Sequence, residues 1–96
     1  MKELTKAEVE RLSILSEEAA EVVQRVSKIF RFGISNTKPG TNPPQTNKQL
    51  LEEELGHLSL AIATCIASGD VSNDSIKSSY EAKIEDRKQY LKHQGG

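Results

Sequence analysis

Apolar residues recur at helical spacing in three stretches of this chain. In the first, Leu12, Leu15, Ala19, Val22, Val26 and Ile29 follow one another at three- and four-residue steps, the period of one helix face. Thr5 and Glu8 precede them as a T-x-x-E capping box, and Gly33 follows Phe32 as a natural stop. One long helix is expected there. The second stretch opens on Thr46 and Gln49, a reciprocal cap, and runs through "LLEEELGHLSLAIATCIAS" to Gly69. Its apolar arc is Leu51, Leu55, Leu58, Ile62 and Cys65. The third begins at Ser72, with Val71 and Ile76 placed as a hydrophobic staple. Ile76, Tyr80, Ile84 and Leu91 mark its apolar face, and Lys83, Arg87, Lys88 and Lys92 load the others.

Between the first two stretches lies "ISNTKPGTNPPQTN", about residues 34–46, rich in turn formers and nearly devoid of apolar side chains. Helix connections of this length tend to be mobile or functional. Residues of about 92–96 are expected to fray. No stretch alternates as a strand does, and there is no internal repeat. The pattern predicts an all-α fold, an antiparallel bundle of three main helices forming a single domain over 1–96.

Composition adds one requirement. The chain has 96 residues, 35% of them hydrophobic, with two Phe, two Tyr and no Trp. A core that small is marginal on its own, so self-association is expected, as a homodimer or homotetramer. Net charge is −1, and no face pairs a basic stripe with stacking aromatics, which argues against a nucleic-acid partner. The most apolar run, "LSLAIATCIA", is too short to span a bilayer, so no membrane role is expected. No apolar leader opens "MKELTKAEVERL", and Cys65 is the single cysteine, read as an ordinary buried residue. A cytoplasmic location fits these features.

The acids carry the candidate chemistry. Glu18, Glu21, Arg25 and Lys28 form a stripe along one border of the first apolar arc, and Glu54 and His57 border the second. If the arcs pack together, three carboxylates and an imidazole converge at the edge of the core. Such a cluster is costly unless a cation, a proton or basic partners compensate it. Oxygen-rich sites of this kind suit Mg²⁺ or Mn²⁺, and Arg25 and Lys28 lie where they could contact a phosphate chain. The plainer alternative is a solvated charged surface, with His57 as a hydrogen-bonded boundary histidine.

"EEAAE", followed after a loop by "EELGH", resembles the MazG-like all-α nucleoside triphosphate pyrophosphohydrolases. Their signature is E-x-x-E on one helix and E-x-x-D on the next. The likeness covers roughly Leu15 to Ile62, and "QRVSKIFRFG" and "NKQLLEEELGHL" are similar to the short single-domain members carried by bacteriophages. The resemblance implies four acidic Mg²⁺ ligands and cleavage of a nucleoside triphosphate to monophosphate and pyrophosphate. By position, Glu18, Glu21 and Glu54 supply three ligands, and His57 stands where the family has Asp. Imidazole suits later divalent metals better than Mg²⁺. Glu17 or Glu21 would orient the attacking water or take its proton. Tyr80 and Lys83 are expected to reach the nucleotide.

The expected function is therefore a metal-dependent nucleotide pyrophosphohydrolase. Two alternatives stand beside it. One is a nucleotide-binding or sequestering protein in which His57 marks weakened catalysis; the other is a helical interaction module whose acids are merely solvated.

Overall fold

In a computed structural model, which describes residues 2–95, the chain forms three helices and no strand among the described residues. They are α1 (Lys6–Phe32), α2 (Asn47–Ala67) and α3 (Asn73–Lys88). The expected caps start each of them. The Glu8 amide donates to Thr5 Oγ1 at 3.1 Å, and the Thr5 amide donates to Glu8 Oε1 at 2.9 Å. Thr46 and Gln49 repeat the arrangement at 3.1 and 2.9 Å. Ser72 accepts from the Ser75 amide at 3.2 Å. Gly33 ends α1 with φ of +92°, a conformation that a side chain would strain. None of the three is long and apolar enough to cross a membrane.

α1 and α2 pack as an antiparallel pair, held by polar contacts at both ends. At the loop end, Asn47, only 7% exposed, donates from Nδ2 to the Gly33 carbonyl at 2.8 Å. At the far end, Arg11 on α1 grips Asp70 just beyond α2, with Nε and Nη2 donating at 2.6 and 2.8 Å. Arg11 holds the Asp70 carboxyl below the ordinary aspartate range. Cys65 lies behind this pair, fully buried as expected, and burial together with Asp70 pushes its thiol pKa up.

The seam on α2 differs from the expected arc. The buried positions are Asn47, Leu50, Ala61 and Cys65, whereas Leu51, Leu58 and Ile62 are half-buried and Leu55 is 43% exposed. The two end locks fix the rotation of α2, and the small Ala61 lets the helices approach. Among the described residues, only three apolar ones are thus buried. Leu50→Ala is expected to lower unfolding free energy by about 2–5 kcal/mol, the range for a buried Leu. Urea denaturation followed by helix circular dichroism measures it; a loss below about 1 kcal/mol would show that Leu50 is not enclosed.

The expected three-helix bundle does not close within one chain. Every residue of α3 is exposed, and α3 touches the pair only sparsely. A compact chain of this length has a radius of gyration of about 12–13 Å; this one measures 16.9 Å. α3 offers Ile76, Tyr80 and Ile84 among many polar residues, too narrow a stripe to compete for the hairpin. Beyond it, residues 92–95 carry no helix, and Gly96 of the expected frayed tail lies outside the described residues.

The connection between α1 and α2 is an ordered loop. The Lys38 amide donates to the Gln45 carbonyl at 2.9 Å, beside a bridge between Thr37 and Thr46. The Asn47 and Lys48 amides donate back to Asn36 and Ile34 at 2.8 and 3.0 Å. Thr41 Oγ1 links the inner turn, donating to the Lys38 carbonyl and accepting from the Gln45 amide. Asn36 Nδ2 donates to the Phe32 carbonyl, tying the loop to the end of α1.

Candidate metal centre and adjoining clefts

Glu18 comes from the middle of α1, and Glu54 and His57 lie one turn apart on α2. Antiparallel packing sets these stretches side by side. His57 Nδ1 lies 3.4 Å from Glu54 Oε1 and 3.6 Å from Glu18 Oε2. One ligand atom from each of the three residues falls within 4.8 Å of the others. Two ligands held about 2.1 Å from a divalent ion stand at most about 4.2 Å apart. Only an opposed pair reaches that limit, and neighbouring ligands of an octahedral ion stand about 3.0 Å apart, so the three groups must draw together to share a cation.

The electrostatics of this trio are unsettled without a positive charge. Glu18 Oε2 and Glu54 Oε2 are both buried and lack a hydrogen-bond partner. The Glu18 carboxyl titrates above the ordinary glutamate range. Its contact with Glu54 is the largest cause, followed by burial and by repulsion from Glu54; His57 opposes the shift. Protons and metal ions compete for such a pair. Two orphaned carboxylate oxygens and an imidazole form a donor set that fits Mn²⁺ at least as well as Mg²⁺.

The other expected site residues fall in different places. Glu21 is not among the converging ligands; it lies one turn further along α1, where it lines a neighbouring cleft. This cleft, of about 610 Å³, is also lined by Arg25 and Lys28, both expected as phosphate contacts. A second cleft of about 410 Å³ has Glu18 and His57 in its own wall together with Arg11, Ile14, Leu60, Ala61 and Thr64. The cluster thus borders the second cleft, and Glu21, one turn along α1, leads from it to the basic one. Glu17 is exposed and lines neither.

Tyr80 and Lys83 are not brought to the cluster within one chain. They border a shallow depression on α3 itself, and Lys83 pairs with Asp86 at 3.2 Å. The cause is the outward stance of α3. Conversely, sequence reasoning did not single out Lys38, Asn47 or the Arg11–Asp70 pair. Asp70 carried a readable signal. An acid just past a helix C-terminus opposes the helix dipole, and so calls for a cation from elsewhere.

Comparison of the chain with protein-family models, curated proteins and solved structures finds no match.

Proposed function

We propose that the protein is a metal-dependent nucleotide pyrophosphohydrolase of the MazG-like type, acting as a homodimer or larger homo-oligomer. The observation that carries this reading is the convergence of Glu18, Glu54 and His57, with two orphaned buried carboxylate oxygens, beside a basic cleft. Mg²⁺ or Mn²⁺ held by Glu18, Glu54 and His57 would supply charge neutralisation and acidify a water. Glu21, between that centre and Arg25, is placed to take the proton as the water oxygen bonds to phosphorus. The bond between the α- and β-phosphates breaks, and pyrophosphate leaves with its charge held by Arg25 and Lys28. Oligomerisation is favoured by the half-exposed apolar residues that α1 and α2 leave uncovered, and a partner would help enclose the nucleotide. A nucleotide panel assayed for pyrophosphate release with Mg²⁺ and with Mn²⁺ tests the reaction; absence of release with either metal across the panel would sink it.

His57 separates turnover from simple sequestration. Imidazole contributes a neutral donor where a carboxylate would add charge, so the wild type should favour Mn²⁺. His57→Asp is expected to raise Mg²⁺ affinity about tenfold or more and to increase Mg²⁺-supported turnover. Metal titrations of both proteins under steady-state conditions measure this. A variant slower at saturating levels of both metals would instead make His57 an essential hydrogen-bonding partner of Glu54 or of substrate.

A further inference from the structure

The basic cleft holds more charge than the proposed reaction has yet used. Arg25 and Lys28 reach it from α1, and Lys38 reaches it from the connecting loop, against Glu21 as the only acid in its wall. Among the described residues, none of these three cations takes part in an ion pair. Arg25 Nε is buried and has no hydrogen-bond partner. Lys28 is drawn only toward the Phe32 ring, 5.9 Å from its centre. Three like charges around one concavity, with a buried donor unsatisfied, are a poor arrangement for the empty protein. An anion carrying several charges corrects both faults at once.

The loop is built to present its cation. Its backbone is pinned at Lys38 by Gln45, and at its base by the buried Asn47 side chain on Gly33. The backbone of Lys38 is therefore fixed before an anion arrives, so that only its side chain remains to be ordered on binding. Asn47 also lines the cleft, so the residue that closes the loop forms part of its floor.

We propose that this cleft is a condensed-phosphate site in which Arg25, Lys28 and Lys38 together bind pyrophosphate, either free or as the β- and γ-phosphates of a nucleotide. Resting on the pyrophosphohydrolase reading, this also orients the substrate. The phosphate tail runs from the Glu18–Glu54–His57 centre past Glu21 toward the loop, and the nucleoside lies on the side of Ile14 and Leu60. Orthophosphate and nucleoside monophosphates, with fewer charges and a shorter reach, bind the cleft weakly.

Isothermal titration calorimetry in EDTA separates this site from the metal centre. Inorganic pyrophosphate should bind the wild-type protein at least about tenfold more tightly than orthophosphate or a nucleoside monophosphate, with affinity falling as salt rises. Lys38→Gln should weaken pyrophosphate about tenfold, the worth of one charge-assisted contact. Lys48→Gln, which alters an exposed lysine outside the cleft, should leave binding unchanged. A non-hydrolysable triphosphate that loses affinity with Lys38→Gln places the nucleotide's tail in the cleft; one that does not overturns the orientation. Pyrophosphate that binds only with metal present, or equally well to Lys38→Gln, overturns the site. Pyrophosphate binding without turnover of any nucleotide upholds the cleft and removes the hydrolase reading instead.

Discussion

Glu18→Gln is expected to make the metal-free protein more stable at neutral pH while lowering nucleotide turnover more than about 100-fold, beyond the loss typical of a group that merely supports a ligand. Both effects come from one pair of carboxylates. The native state raises the Glu18 pKa through its contact with Glu54, burial and repulsion. Above the ordinary glutamate range the folded protein therefore holds a proton that the unfolded chain has released. Stability must fall as pH rises through that window, since the native state binds more protons there. Gln carries no proton to hold, so the variant should lose this slope. Asp70 acts in a separate window and with opposite sign. Its pKa is lowered, so its contribution is present at neutral pH and is lost only as pH falls through the lowered value. Thermal midpoints of both proteins across mildly acidic to neutral pH, with and without Mn²⁺, measure the difference. Mn²⁺ should raise the wild-type midpoint, because it binds only the folded cluster, and should barely move that of the variant. Identical pH profiles for the two proteins would mean that the folded state does not raise the Glu18 pKa. A fully active variant would remove Glu18 from the metal centre.

How far the sequence discloses this architecture depends on the range of the interactions involved. Thr5, Thr46 and Ser72 were legible as caps because each meets a partner three residues away. Glu18, Glu54 and His57 were legible as a group because helical period places them beside the same seam. Glu21 shares that stripe, but one further turn carries it past the point where α2 supplies ligands and into the basic cleft. The Arg11–Asp70 lock joins residues 59 apart, and no local pattern reports a contact of that span. Lys38 has no local pattern around it, and only the folding of the loop back over α1 brings it beside Arg25 and Lys28. The α2 seam departs from the expected arc for a related reason. The helix carries apolar residues over a wide arc, from Leu50 round to Ile62, and a single neighbour covers only part of it. Period identifies the arc; the end locks decide which edge of it is buried.

That uncovered part of the arc leads to the second large effect, dissociation and unfolding of the protein by Val23→Glu. On α1, Ala19, Val23, Val26 and Phe30 follow at three- and four-residue steps, with Leu12 two turns before Ala19, and Val23 and Phe30 are 66% and 84% exposed. On α2, Leu51, Leu55, Leu58 and Ile62 do the same. Each stripe is rotated in the same sense from its own seam residues, Arg11 and Glu18 on α1, Glu54 and Ala61 on α2. In an antiparallel pair that shared rotation brings both stripes to one side, leaving a two-helix apolar face with nothing over it in a single chain. A second copy offers an equal face, and two hairpins joined through them make a four-helix core. In an isolated chain, Val23→Glu would replace one exposed side chain by another and change stability by no more than about 0.5 kcal/mol. Across a dimer the same change buries an unpaired carboxylate, at a cost of several kcal/mol. The wild type should therefore sediment as an oligomer, with a thermal midpoint that rises with protein concentration. Val23→Glu should sediment as a monomer of reduced helicity, since the hairpin alone encloses only Leu50, Ala61 and Cys65 as apolar core. A monomeric wild type, or a variant with unchanged mass and midpoint, would show that this face is not where two chains meet.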